Sequence, residues 1–422
     1  MSPSAVEELD LQEILRPGDQ IVVGQACGEP STLIEALFQQ HHLLDGVSIF
    51  VATSFSGVFS PSMPTSLAMS SMGAIGELRS LAAAHRLQIV PCHVSQIGPL
   101  IESGAIRCDV AFVQVSPSDA DGRHSFGLVS DHVAATTRTA RTVVAEVNDQ
   151  VPFTFGQYLH ADVIDHAVRS SRQPVQVISN QISDTERAIA THAASFVQDR
   201  SVLQIGVGAV PDAILRMVSD RRDLGVHSGM IGDGVVDLIE SGVITNAYKE
   251  IDTGVTVTGA LIGTDRLYTY AHRNRSVRMC SSDYTHGAAP LGALTRLVTV
   301  NSALQVDLTG QVNAEQTGTL YVGGNGGQGD YARSGSRSQS GRGLIVLPST
   351  AKRGTVSRIT TQLTGPVTTP RSDADVIITE YGAACLRGRT LAERARLLAA
   401  IAHPAFREDL ERHAAQIASR GY

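Results

Sequence analysis

Short β-branched runs alternate with amphipathic stretches along the chain. IVVGQ at 21–25, VSIFVA at 47–52, LQIVPC at 87–92, VAFVQV at 110–115 and TVVAEV at 142–147 are each bounded by Gly, Pro or Ser. That is the pattern of strands buried on both faces. Between them, STLIEALFQQHHLL at 31–44 repeats apolar residues at i, i+3, i+4 and i+7, which predicts a helix. HADVIDHAVRSSRQP at 160–174 is predicted to be a helix stopped before Pro174. The rhythm then restarts, with a helix over 185–197, a strand over 201–207 and a helix over 211–220 that opens on a proline. Further strands are predicted at 255–263, 344–349 and 376–382. Alternating β and α elements predict an α/β fold of open, mainly parallel sheets covered on both faces. The polar stretch SRQPVQVISNQISDTE breaks the rhythm, which places a boundary between a domain of residues 1–180 and one of residues 181–422. Ligands of such sheets bind beyond the carboxyl ends of strands, so the loops there are where chemistry is expected.

Composition narrows the function. At 422 residues the chain is too long for one ordinary domain. A formal charge of -7 argues against nucleic acid or an anionic membrane as the main partner. The N-terminus lacks a basic stretch followed by an apolar one, and no window holds 18 uninterrupted apolar residues. Five cysteines (Cys27, Cys92, Cys108, Cys280, Cys385) are widely spaced without a CxxC, as expected of reduced thiols and no metal cluster. A soluble cytoplasmic protein without a metal is the expectation. Lys249 and Lys352 are the only lysines; every other basic residue is Arg.

Three segments carry candidate chemistry. QIGVGAVPDAILRM at 204–217 reads as strand, Gly-x-Gly turn and helix, so free N–H donors from Gly206 to Gly208 can meet an anion or an oxyanion. It lacks the third glycine and the later acidic residue of a dinucleotide site. LGVHSGMIGDGVVDLIESGVITN at 224–246 places His227, Ser228 and Asp233 in a loop ahead of a helix whose Asp237 and Glu240 face solvent. His227 is either structural or a general base. NSALQVDLTGQVNAEQTG at 301–318 precedes GGNGGQGDYARSGSRSQSGRG at 323–343, the one low-complexity stretch. It is either a linker or, because it lies between two strands of one domain, a functional loop. N–H groups from Gly323 to Gly327, flanked by Asn325 and Gln328, can cradle a carbonyl oxygen or a diphosphate. Asp307 and Glu315 are the nearby carboxylates, or else turn caps.

Several segments occur together in order: GQACGEPSTLIEAL, FVQVSPSDADGRHSFG, VAEVNDQVPFTFG, LQIGVGAVPDAIL, LGVHSGMIGDGVVDLIESGVITN, NSALQVDLTGQVNAE, GGQGDYARSG, LPSTAKRGTVSRIT, TEYGAACLRGRTLAERA and IAHPAFRE. In this the chain resembles the acetyl-CoA hydrolase/transferase family, most closely its 4-hydroxybutyrate CoA-transferase branch. The resemblance implies two CoA-transferase-like α/β domains with the active site in the cleft between them, acyl-CoA and a small acceptor as substrates, and a homodimer. It also implies a glutamate that attacks the thioester, giving an acyl anhydride and then a glutamyl-CoA thioester. In the family pattern LG[IV]H[ST]EM that glutamate's place is held here by Gly229, in Leu224-Gly225-Val226-His227-Ser228-Gly229-Met230. In N-S-x-x-E-V-D-L-x-G-Q-V a second glutamate is replaced by Gln305.

The resemblance assigns oxyanion contacts to Val207, Gly208, Gly326 and Gly327. Gly206, Asn325, Gln328 and Asp330 are the candidate CoA contacts, although Asn325 stands where the family has small or hydroxyl residues, and Lys352 and Arg358 either meet the phosphates or are ordinary surface charge. With no carboxylate at 229, the expected chemistry is direct attack on the thioester by a bound co-substrate, by a nucleophile within the acyl chain, or by water. The missing side chain is expected to leave space for that group, with His227 as general base and Asp233 behind it. Two alternatives stand beside this. One is a carboxylate CoA-transferase whose nucleophile has moved to Asp307, Glu315 or Glu29; the other is a CoA-thioester binder without turnover.

Overall fold

The computed structural model describes residues 4–179 and 181–421. In the first half, seven strands form one sheet: Gln20–Val23 (β1), Ser48–Phe50 (β2), Ala68–Ser71 (β3), Gln88–Ile89 (β4), Val110–Val115 (β5), Thr142–Asn148 (β6) and His166–Ser170 (β7). Their order is β7-β6-β5-β1-β2-β3-β4, and every pairing is parallel. All six residues of β5 are buried and all but Gln114 are apolar, which is why it does not read as an alternation. Helices Ser31–Gln40 (α1), Val94–Glu102 (α2) and Val133–Thr139 (α3) connect these strands.

The second half repeats the scheme. Val202–Ile205 (β8), Gly225–Val226 (β9), Leu297–Ser302 (β10), Arg342–Val346 (β11), Val376–Thr379 (β12) and Gly382–Cys385 (β13) lie in the order β9-β8-β10-β11-β12-β13. Only the last pair is antiparallel. Helices Asp184–Ala194 (α4), Ala209–Met217 (α5), Asp233–Glu240 (α6) and Gln328–Arg337 (α7) belong to this half. The halves share one apolar core: Val113 and Val147 belong to the same buried cluster as Leu203, Val300 and Ile378. Among the described residues no helix is long and apolar enough to cross a membrane.

Each sheet contains a point where the chain changes its direction of growth, between β1 and β5 in the first and between β8 and β10 in the second. The diverging connections leave a crevice at the carboxyl ends of those strands. Residues 24–26 and 206–208 follow β1 and β8 directly, so topology brings them to such crevices.

Three expectations need correction. Residues 160–174 are not a helix: a short 3-10 turn at Ala161–Val163 leads into β7, an edge strand with only Ala167 and Val168 buried in it. Two apolar side chains are too few to separate a period of 2 from one of 3.6. The run at 255–263 is broken at Gly259, so that Thr256–Thr258 pairs with Val277–Met279 while Ala260–Leu261 pairs with Met230–Ile231. Neither piece joins a large sheet. The low-complexity stretch is half helix, because α7 lays Tyr331, Ala332 and Gly335 against the second sheet and turns its Ser and Arg residues outward. Gly335 permits that approach; a Cβ there would stand 2.6 Å from Thr299 Oγ1.

Candidate active site

The two crevices open on one cavity of about 290 Å3, with Gln25, Ala26, Thr53 and Asp131 from the first half and Gly206, Val207, Gly229, Asn301, Gly326 and Gly327 from the second. The glycine turn after β8 and the one before α7 therefore face the same space. Gly208, which opens α5, has φ +116° and Gly326 has φ +53°, conformations that suit residues without a side chain. A Cβ added at Gly206, Gly208 or Gly326 would meet nothing within 4 Å, so these backbones border open volume.

Gly229 is different. A Cβ there would lie 2.6 Å from His286 Nε2 and 3.0 Å from Tyr331 Oη. The expected space beside Gly229 is filled by an imidazole that the sequence did not single out. A Cβ at Gly327 would likewise fall 2.5 Å from His286 Nε2, so the same ring needs both glycines. The backbone of Gly229 is held in place by Gly259, whose N–H donates to the Gly229 carbonyl at 3.1 Å.

His286 stands in a short helical turn, Ser282–Thr285, and is its C-terminal cap. Its ring packs against Tyr331 with centroids 4.5 Å apart. Nδ1 lies 2.9 Å from Thr285 Oγ1, and that hydroxyl donates its one proton to the Ser281 carbonyl at 3.2 Å. With its proton on Nδ1, the ring donates to Thr285 Oγ1 and carries a bare lone pair on Nε2 at the cavity end. Burial, aided by nearby His227, pushes the imidazole down to about 3, so the ring is neutral at physiological pH. Tyr331 donates to the Thr285 carbonyl at 3.0 Å, and burial raises its phenol well above the ordinary range.

The candidates named from sequence fare unequally. His227 is completely buried and does not line the cavity. Its Nε2 donates to the Tyr284 carbonyl at 3.3 Å, and burial, with Lys249 adding to it, pushes the ring down to about 4. With Nε2–H spent on that carbonyl, His227 is set apart from the open volume that the glycine turns border. Asp233 is held by the Thr264 N–H and hydroxyl and the Leu267 N–H. Asp307 accepts from Thr309 and Gln311 within its own turn. Glu315 accepts from the Tyr321 and Thr368 hydroxyls. Glu29 caps Phe55 and the Ser54 and Ser56 hydroxyls, and burial lifts it to about 7. None of these carboxylates lines the cavity. Gln305 is also outside it, accepting from Asn313 and Thr364.

The carboxylate that does line the cavity is Asp131, 7% exposed and with φ +27°. One of its oxygens accepts from the Gln25 side chain, and Oδ1 is buried without a partner. Burial pushes Asp131 up to about 7 in spite of the hydrogen bond from Gln25.

Of the CoA candidates, Gly206 lines this cavity, whereas Asn325 and Asp330 line a neighbouring one of about 510 Å3. Gln328 is buried and donates to Thr369 Oγ1 at 3.2 Å. Arg358 is half-buried, donates to the Ala303 carbonyl at 3.2 Å and lies near Glu380. Lys352 is exposed in the turn between Thr350–Ala351 and Val356–Ser357. A third cavity of about 800 Å3 shares Phe55, Ile75, Val207 and Ile262 with the central one and carries Arg79 and Arg216.

Residues 5–179 match the N-terminal domain of the acetyl-CoA hydrolase/transferase family, and residues 263–414 match its C-terminal domain. The 4-hydroxybutyrate coenzyme A transferase of Clostridium kluyveri is 37% identical over 396 residues, covering 93% of this chain and 92% of that protein. A succinyl-CoA:cyclohexane-1-carboxylate CoA transferase of Geobacter metallireducens is 33% identical, covering 94% of this chain and 92% of that protein. Among solved structures, RipA from Yersinia pestis superposes with a TM-score of 0.89 at 30% identity, over 96% of this chain and 95% of the other. The 4-hydroxybutyrate CoA-transferase of Porphyromonas gingivalis gives 0.82 at 33% identity, over 99% and 97%. Matched in both halves and along nearly its whole length, the chain belongs to the acetyl-CoA hydrolase/transferase family.

Proposed function

We infer that the protein acts on an acyl-CoA thioester in the cavity between its two halves and passes the acyl group directly to a bound acceptor, with no glutamyl-CoA intermediate. The observation that carries this reading is the imidazole of His286 standing where a side chain on Gly229 would begin. A position that holds the nucleophilic carboxylate in the family pattern is here committed to a neutral base. N–H groups at Val207, Gly208 and Gly327 would polarise the thioester carbonyl and stabilise the tetrahedral oxyanion, typically by a few kcal/mol per donor. His286 Nε2 would take the acceptor's proton as the new bond forms and return it to the departing thiolate. The larger cavity beyond Val207 is where the pantetheine arm and nucleotide would lie, with Arg79 and Arg216 available to phosphates.

A second reading is favoured by one observation, that Asp131 is the one carboxylate lining the cavity. Asp131 would then replace the lost glutamate as nucleophile, and the enzyme would be a carboxylate CoA-transferase. Kinetics separate the two. Direct transfer gives sequential initial-rate patterns and no protein-bound CoA after incubation with acetyl-CoA alone. A ping-pong pattern, with borohydride reduction of a thioester at Asp131 seen by peptide mass spectrometry, would establish the second reading instead.

A further inference from the structure

The glycine turn ahead of α7 belongs to the second half, yet the first half holds it. The Ala74 N–H donates to the Gly323 carbonyl at 2.7 Å, and Gly73 and Gly324 form an antiparallel bridge. A Cβ at Gly73 would lie 2.6 Å from the Gly324 Cα, so the backbones meet where a side chain on Gly73 has no room. Further along the turn, the Val94 N–H donates to the Gly326 carbonyl at 3.1 Å. Val94 is the first residue of α2, whose start is set by a capping box of His93 and Gln96.

That last bond fixes more than a carbonyl. The carbonyl of Gly326 and the N–H of Gly327 share one peptide plane, and in a trans peptide the two groups point in opposite directions. A donor from α2 on the oxygen therefore aims the Gly327 N–H away from α2. Gly327 lines the central cavity, and its N–H meets no acceptor among the described residues. The same bond polarises that N–H, because electron density drawn to the carbonyl oxygen leaves the amide hydrogen more positive. The positive end of a nine-residue helix adds to the pull. The donors after β8 differ in this respect, since they are set within the second half, between β8 and α5.

We propose that Val94 is a positioning residue: its backbone N–H, acting through the Gly326 carbonyl, aims and strengthens the Gly327 N–H toward the oxyanion of the reacting thioester. The contact between Gly73 and Gly324 holds the turn in register for it. One oxyanion donor of the second half is thereby set by the first. The proposal rests on the reading of Gly327 as such a donor, and it holds whichever nucleophile attacks the carbonyl.

The experiment measures binding of two unreactive analogues to the full chain by isothermal titration. Trifluoroacetonyl-CoA takes up water to give a tetrahedral, readily ionised carbon, whereas acetonyl-CoA keeps a trigonal ketone. Val94→Pro deletes the N–H at a helix position that suits proline, and Val94→Ala keeps the N–H as the reference for a shortened side chain. Relative to Val94→Ala, the Kd of trifluoroacetonyl-CoA should rise at least about tenfold in Val94→Pro, and that of acetonyl-CoA less than about threefold. Gly73 lies outside the cavity wall, so Gly73→Ala displaces the turn from behind. It should shift the ratio of the two Kd values in the same direction, and it decides the question if Val94→Pro loses its melting transition. Equal Kd values in the two Val94 variants, or equal rises for both analogues, would overturn the proposal. A wild type that binds the two analogues equally would instead overturn the oxyanion role of Gly327 on which the proposal rests.

Discussion

The loop at 224–231 and the turn at 281–286 each present a buried histidine to the centre of the molecule, and the two differ in what surrounds the ring. His227 follows β9 and is closed in, with its Nε2–H spent on the Tyr284 carbonyl. His286 has its Nδ1 side anchored by Thr285 and its Nε2 side facing two glycines at the cavity wall. Burial depresses both rings, to about 4 and about 3, so titration alone does not distinguish them. Access does. A depressed pKa marks a desolvated histidine, and only the geometry of its free nitrogen says whether chemistry is open to it.

The comparison breaks most easily at the two rings themselves. His286→Gln should lower kcat by about 100- to 10,000-fold, the usual worth of a positioned acid–base group, with little change in melting temperature. His227→Gln should do the reverse, lowering the melting temperature while kcat stays within about threefold. Steady-state rates and thermal unfolding of the two variants check both, and a large kcat loss confined to His227→Gln would reverse the assignment.

Next comes the contact between Gly229 and the ring. Gly229→Ala already forces a Cβ into His286 and should destabilise by about 1–3 kcal/mol, the scale of an overpacked core. Gly229→Glu should be worse and should abolish the native reaction. His286→Asn in the Gly229→Glu background should recover much of the stability, because the two sites are in contact and their effects are not additive. If glutamate then lies beside the oxyanion donors, the double variant should exchange labelled acetate into acetyl-CoA. Additive stability losses would show that the ring does not occupy the glycine's space.

Much of the fold was legible because its signals are local. The central strands are mostly apolar and buried, and α4 opens on the Ser183 and Glu186 capping box. The sequence offers a boundary where the rhythm lapses near residue 180, while the packing joins both halves in one apolar cluster. The edge strand β7 was not legible, since an edge buries too little to set a period. For the candidate site the sequence offers glycine turns and a departure at Gly229, where the expected space is taken by His286. An absent side chain looks like empty space in a sequence, whereas close packing hands that volume to a neighbour. His286 lies 57 positions further along, in SSDYTHGAAP, and no local pattern marks it. Asp131 was missed for the same reason: its meaning comes from Gln25 and the cavity, not from neighbours in the chain.

Asp131 sharpens the comparison through pH. Its folded-state pKa of about 7 exceeds the ordinary 3.8, so the folded protein keeps a proton that the unfolded chain has released. The stability this group contributes is therefore present below about pH 4 and is lost as pH rises through 7. Asp131→Asn should gain on the wild type steadily across that window, as urea unfolding at several pH values would show. The profile of kcat/KM should bend near pH 7 in the wild type and lose that bend in Asp131→Asn. In His286→Gln the bend should remain at a lower rate, because that ring titrates far below. A bend that survives Asp131→Asn would assign it to another group.

The smallest effect is expected furthest from both rings, at Lys352. It is exposed on a hairpin turn with φ +48°, beside Arg353 at φ +57°, and it lines none of the three cavities. A CoA nucleotide leaving the central cavity would meet it only at the surface, where one charge-assisted contact to a phosphate is worth about 1–2 kcal/mol before screening. Lys352→Ala should therefore raise the Kd for CoA by roughly tenfold or less, with kcat unchanged, and raised salt should shrink the difference. Isothermal titration of CoA and of dephospho-CoA at two salt concentrations would follow this. An unchanged Kd for Lys352→Ala beside a large rise for Arg79→Ala or Arg216→Ala would place the nucleotide in the 800 Å3 cavity and remove Lys352 from its path.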